Sequence, residues 1–181
     1  DNHAVSVVTQ VPSLAMTLDM LGDKVKMVIT DSQAFGEVSR IVPTQIPLTS
    51  FSILFARHKG NLRTLVEGVT AVDRLRDGDR VLIAEGCTHR RQCDDIGTVK
   101  IPRWLKEYTG KELQIETCSG TGFPTDLSSY ALIIHCGGCT LHEKEMKHRI
   151  FRAQQCQVPI VNYEIIDLFI KRSCLIAKQI R

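Results

Sequence analysis

Long hydrophobic runs are missing from this chain. None approaches the roughly 20 residues that a membrane-spanning helix needs, so no membrane partner is expected. A basic face is missing too. The net charge is only +3, and no Lys/Arg run carries interleaved aromatics, which argues against nucleic acid as a partner. The opening DNHAVSVV has neither the charged lead nor the apolar stretch of a signal peptide. It reads as the inside of a domain, with a part expected upstream. There is no low-complexity segment, no repeat of fixed period and no G-x-x-x-x-G-K-S/T phosphate loop. No activated nucleophile stands out, so this stretch of chain is not expected to be an enzyme.

What the chain does have is cysteine, seven in 181 residues, and the number is odd. A secreted disulfide framework favours an even count in a shorter, loop-rich chain. Here the cysteines sit among regular strand and helix patterns. That points to a reducing cytoplasm, where close pairs serve as metal ligands or redox thiols.

Strand and helix signals alternate, which predicts an α/β protein: two small parallel-sheet, Rossmann-like domains with helices flanking the sheets. AVSVV (4–8), VKMVI (25–29) and FSILFA (51–56) read as three strands of a first unit. Between them, Pro12 and Ser13 open a helix that stops at Gly22, and Asp31 or Ser32 caps another with Phe35, Val38 and Val42 inward. The first unit is placed at 1–58 and the second at 59–181. In the second, Asn61 caps a helix whose Leu62, Leu65, Val66, Val69 and Val72 keep the 3.6 period. RVLIAEG (80–86), ELQIET (112–117), YALIIH (130–135) and VPIVNY (158–163) read as strands. Helices are expected over PRWLKEYT (102–109) with Gly110 past its end, from about Glu143 to Gln155, and over EIIDLFIKRSCLIAKQ with Ile166, Phe169, Ile170 and Cys174 on one face.

The chemistry gathers at strand ends. Parallel α/β sheets bind ligands beyond the C-terminal ends of their strands. Cys87-Thr88-His89 follows one predicted strand, His135-Cys136-Gly137-Gly138-Cys139 another, and Cys118 a third. Neighbouring strands would bring these groups to one sheet edge. Gly137 and Gly138 let the backbone wrap closely, and the N-terminus of the following helix is expected to favour thiolates. A structural Cys3His zinc site, using Cys87, His89, Cys136 and Cys139 in a protein-interaction module, fits this pattern as well as an iron–sulfur cluster does. A thioredoxin-like pair at Cys136 and Cys139 is the third reading. Cys93, Cys118, Cys156 and Cys174 read as buried small hydrophobes, and His3, His58, His142 and His148 as surface or capping residues.

The motif resembles that of the [FeFe]-hydrogenase maturation GTPase family, HydF. Cys-x-His, a gap of 45 residues and then His-Cys-x-x-Cys carry the likeness. The flanks LTSFSILFARHKGNL and DGDRVLIAEGCTHRRQCDDIGTVKIPRWL extend it over nearly the whole chain. The resemblance implies a dimerisation domain followed by a [4Fe–4S] cluster domain, without the family's GTPase domain. It implies Cys87, Cys136 and Cys139 as cluster ligands, with His89, His135, a carboxylate (Glu85, Asp94 or Asp95) or water at the fourth iron. In an extended segment neighbours face opposite ways, which ranks His89 above His135. Glu164 and the CTLHEKE stretch depart from the family pattern. The implied role is a cytoplasmic scaffold, a homodimer or higher assembly. It would receive a transient di-iron precursor with CO and CN⁻ ligands, built with two radical-SAM maturases, and pass it to apo-[FeFe]-hydrogenase.

Overall fold

A computed structural model describes residues 5–31, 34–86 and 95–179, the side chains of 172–179 excepted. The chain divides into two compact units, 1–51 and 52–181.

In the first unit a 3₁₀ turn at Val11–Ser13 leads into α1 (Leu14–Leu21), which ends at Gly22. Strand β1 (Val28–Thr30), α2 (Phe35–Ile41) and β2 (Leu48–Ser50) follow. Asp31 Oδ1 accepts the Ala34 N–H at 2.9 Å and fixes the approach to α2. β1 and β2 pair in parallel, Val28 opposite Leu48. Leu14, Val38 and Val42 form the buried centre, with Leu18, Val28, Ile41 and Leu48 around it.

Two expected strands of this unit are absent. Residues 5–8 are not paired, and Val5, Val7 and Val8 are exposed. Their β-branched side chains favour extended backbone, but a strand also needs a neighbour to pair with. FSILFA is helical, within α3 (Phe51–Lys59). A short apolar run does not distinguish a strand from a buried helix. Here Ile53 and Ala56, three apart, turn toward one core, and Arg57, His58 and Lys59 end the helix at its negative pole. The expected three-stranded sheet is two-stranded among the described residues.

The second unit continues with α4 (Leu62–Gly68), where Asn61 Oδ1 accepts the Thr64 N–H at 3.2 Å. A 3₁₀ turn (Val69–Arg74) leads to β3 (Arg80–Glu85). A π-turn (Ile96–Lys100) opens α5 (Ile101–Thr109), closed by Gly110 in the left-handed region. Then come β4 (Gln114–Ser119), β5 (Leu132–His135), α6 (Glu143–Gln155), β6 (Ile160–Asn162) and α7 (Tyr163–Gln179). The sheet is parallel throughout, in the order β4-β3-β5-β6. β5 and residues 81–85 of β3 are buried, as expected for central strands covered on both faces. α4 crosses β6 so closely that a Cβ at Gly68 would strike the Ile160 carbonyl. Among the described residues, no helix is long and apolar enough to cross a membrane.

This order positions the site. From β3 the chain moves outward through α5 to β4, then returns past β3 to β5 and continues to β6. The direction reverses between β3 and β5, and such a reversal opens a crevice at the strands' C-terminal ends.

Candidate metal centre

His135 and Cys136 stand at that reversal. His135 lies opposite Ala84 of β3 and Asn162 of β6. The Cys136 N–H continues the ladder to the Ala84 carbonyl at 2.9 Å. Cys136 is therefore level with Glu85 on one side and Tyr163 on the other. Because side chains alternate along a strand, His135 and Cys136 leave the backbone on opposite faces.

The Cys136 sulfur is buried and accepts two backbone N–H groups, Gly86 at 3.0 Å and Gly138 at 3.4 Å. Donors aimed at a sulfur favour its thiolate form, the form that binds metal. Both donors need glycine. Gly138 has φ +62°, and a Cβ on Gly86 would lie 2.7 Å from the Leu141 side chain. Cys139, three residues on, is exposed. Lys59 at the end of α3 holds the turn from the other side. Its Nζ donates to the carbonyls of Cys139 (2.7 Å), Leu141 (3.1 Å) and Gly138 (3.4 Å).

The α6 N-terminus contributes less than the sequence suggested. His142 caps it, its Nδ1 accepting the Lys144 N–H at 3.2 Å, and Glu143 and Glu145 already occupy the first turn. The positive charge at the Gly-Gly turn comes from the Lys59 ammonium.

His135 is fully buried and uses both ring nitrogens on protein partners. Nε2 lies 3.2 Å from Arg149 Nη1, and Nδ1 lies 2.8 Å from the Cys136 carbonyl. Arginine can only donate, so Nε2 accepts and the proton sits on Nδ1, donated to the carbonyl. Burial lowers the His135 pKa to about 4, and the neighbouring Arg149 charge adds to this, so the ring is neutral at ordinary pH. Arg149 is 1% exposed. It also donates to the Gly120 carbonyl at 2.6 Å, pairs with Glu145 at 2.7 Å and stacks over Phe123 at 4.8 Å. The result is a relay from Arg149 through His135 to the backbone of Cys136.

The other candidates fall as follows. Cys118 lies inside β4, which runs two residues further than expected; it is half-buried, and burial raises its pKa. Cys156 is exposed at the end of α6, not buried: the helix has already turned away from the core there. Glu85 is buried at the end of β3. Asp95 caps the π-turn, its Oδ2 accepting the Thr98 N–H at 2.8 Å. His58, His142 and His148 are exposed. Cys87, His89, Cys93 and Asp94 lie outside the described residues, as do His3 and the Cys174 side chain. Among the described residues, no three His, Cys, Asp or Glu side chains form a metal-binding group. Cys87 is, however, the next residue after Gly86, whose N–H points at the Cys136 sulfur. Lys59, Arg149 and Tyr163 were not singled out by sequence reasoning. Only the fold brings them here, and no local spacing signals it.

Two family models cover the chain. Residues 1–60 match the hydrogen maturase F dimerization domain, and residues 63–175 match the hydrogen maturase F tetramerization domain. The chain belongs to the hydrogen maturase F family. Both matched hydrogen maturase F domains are named for self-association, and membership carries a role in hydrogenase maturation. Comparison with curated proteins finds no match.

Proposed function

We propose that the second unit of this hydrogen maturase F chain holds a [4Fe–4S] cluster through Cys87, Cys136 and Cys139. On this reading the chain is a cytoplasmic scaffold in hydrogenase maturation. Its cargo is a di-iron precursor bearing CO and CN⁻, made with two radical-SAM maturases and handed to apo-[FeFe]-hydrogenase. The observation that carries the reading is the Cys136 sulfur, held by two backbone N–H groups at the sheet's reversal, beside the strand end that leads to Cys87.

The chain's own residues have separable tasks. Gly86 and Gly138 stabilise the thiolate. Lys59 holds the turn that carries Cys139 and adds positive charge beside an anionic group. Arg149 and His135 fix the Cys136 backbone from behind, and this supports His135 as a support rather than a ligand. A cluster held by three thiolates supplies one iron with a position open to exchange. His89, a carboxylate (Glu85, Asp94 or Asp95) or water are the candidates for that position. The exposed apolar residues of the first unit support it as a place where copies meet.

Anaerobic reconstitution with iron and sulfide tests the reading. Uptake of both, with an EPR signal in the reduced protein that added cyanide or imidazole perturbs at constant iron content, is the expected result. Tight zinc binding without sulfide uptake would instead establish the Cys3His interaction module. A reducible Cys136–Cys139 bond without metal would establish a thiol–disulfide site.

A further inference from the structure

Tyr163 is 8% exposed, and its hydroxyl has no hydrogen-bond partner among the described residues. Buried tyrosine hydroxyls ordinarily find one. Phenylalanine would fill the same space without burying an unsatisfied group. The surroundings nevertheless keep room for the oxygen. A Cβ on Gly97, in the π-turn before α5, would collide with the Tyr163 hydroxyl and lie 2.9 Å from Glu85 Oε1. Two polar oxygens thus converge on one small buried space, and a residue without a side chain leaves it open.

The sheet register says what that space adjoins. Ala84, His135 and Asn162 stand in one row across β3, β5 and β6, so Glu85, Cys136 and Tyr163 stand in the next. The Tyr163 backbone is therefore level with that of Cys136, whose sulfur belongs to the proposed cluster site, and its hydroxyl enters the space that Gly97 leaves open. We propose that Tyr163 is a positioning residue whose hydroxyl donates a hydrogen bond to the sulfur-ligated group held at Cys136, raising that group's electron affinity. A phenol is protonated at neutral pH and so is available as a donor. A hydrogen bond to a ligating sulfur stabilises the more negative, reduced state, so removing it lowers the potential.

The inference rests on the cluster reading, and the experiment separates the two. Tyr163→Phe and Gly97→Ala are made in the full chain, and each is studied as isolated and after anaerobic reconstitution. Without metal, Tyr163→Phe should melt no lower than the parent, because the hydroxyl has no partner to lose among the described residues. After reconstitution it should show a lower midpoint potential and an altered EPR signal, or faster iron loss to a chelator. Gly97→Ala, which crowds the hydroxyl, should shift the potential the same way. A fully loaded Tyr163→Phe protein with the parent's potential and EPR signal overturns the inference and leaves the cluster reading standing. A metal-free Tyr163→Phe protein that melts clearly lower also overturns it, because the hydroxyl would then be structural. A parent that takes up no iron and sulfide overturns both.

Discussion

The two units solve the burial problem differently. The second encloses a four-stranded parallel sheet, with β5 and nearly all of β3 inaccessible to water. The first gathers only Leu14, Val38 and Val42 at its centre, around two strands of three residues each. It also exposes Val5, Val7, Val8, Met16, Met20, Met27, Ile29 and Phe51, whereas the much longer second unit exposes only Val66, Val99, Phe151 and Leu168 among its described large apolar side chains. A small domain buries a small share of its surface, and a shortfall of this kind is commonly met by association. The second unit buries its sheet within itself, and the first falls in the stretch that matches a dimerization domain.

The sharpest contrast is between core and surface substitutions. Ile133→Ala in β5 should cost about 4 kcal/mol in urea unfolding, because the side chain is fully buried. Met20→Ala, at 79% exposure, should stay within about 0.5 kcal/mol in dilute solution. A comparable loss at Met20 would mean that the first unit packs more tightly than described, and the contrast would fail.

Arg149→Met comes next. It keeps the stem but strips His135 Nε2 and the Gly120 carbonyl of their donor. One buried and one half-buried acceptor left unpaired should together cost about 2 kcal/mol. Nitrogen NMR of the imidazole should show the Nδ1–H tautomer losing its dominance. A small cost with the tautomer unchanged would remove the relay from the account.

Association should respond to the first unit. Met20→Glu should weaken self-association at least about tenfold, roughly 1.4 kcal/mol, in sedimentation experiments, with little change in helix content. Phe151→Glu, on the exposed face of α6, distinguishes a second interface. If only Phe151→Glu weakens association, the assignment of self-association to the first unit is wrong.

The smallest effect is electrostatic. Tyr130 and Arg80 hydrogen-bond the Glu116 carboxylate, and both hold its pKa below the usual range. Such a group stabilises the fold above its unfolded pKa, and the contribution is lost as pH falls through the folded value. Glu116→Gln should therefore flatten the acid side of the stability profile and leave its shape near neutral pH unchanged. An unchanged acid limb would show that the pair contributes nothing.

Local features were legible in the sequence. Asn61 as a cap, Gly110 as a stop and the whole of α6 follow from side chains acting on their own backbone within a turn or two. The opposed faces of His135 and Cys136 follow from the strand's pleat. The helical state of FSILFA was not legible, because its apolar run serves either element and tertiary packing decides. Lys59 reaches carbonyls about 80 residues away, and Arg149 reaches across from α6 to β5. Ordinary-looking surface residues in the sequence become the supports of the site only when the sheet order is fixed. Residues 5–8 show the converse: their strand propensity is real, but they have no partner strand within the described chain.

The central claim is that Cys136, not merely any free thiol, anchors a cluster. Iron and sulfide per chain, measured after anaerobic reconstitution of the parent, Cys136→Ala and Cys156→Ala proteins side by side, tests it most directly. Cys156 is a free, exposed cysteine near the end of α6 and serves as the control. The account predicts full loading in the parent and in Cys156→Ala, and loss of stable iron and sulfide in Cys136→Ala while its helix content is retained. Full loading of Cys136→Ala would contradict it.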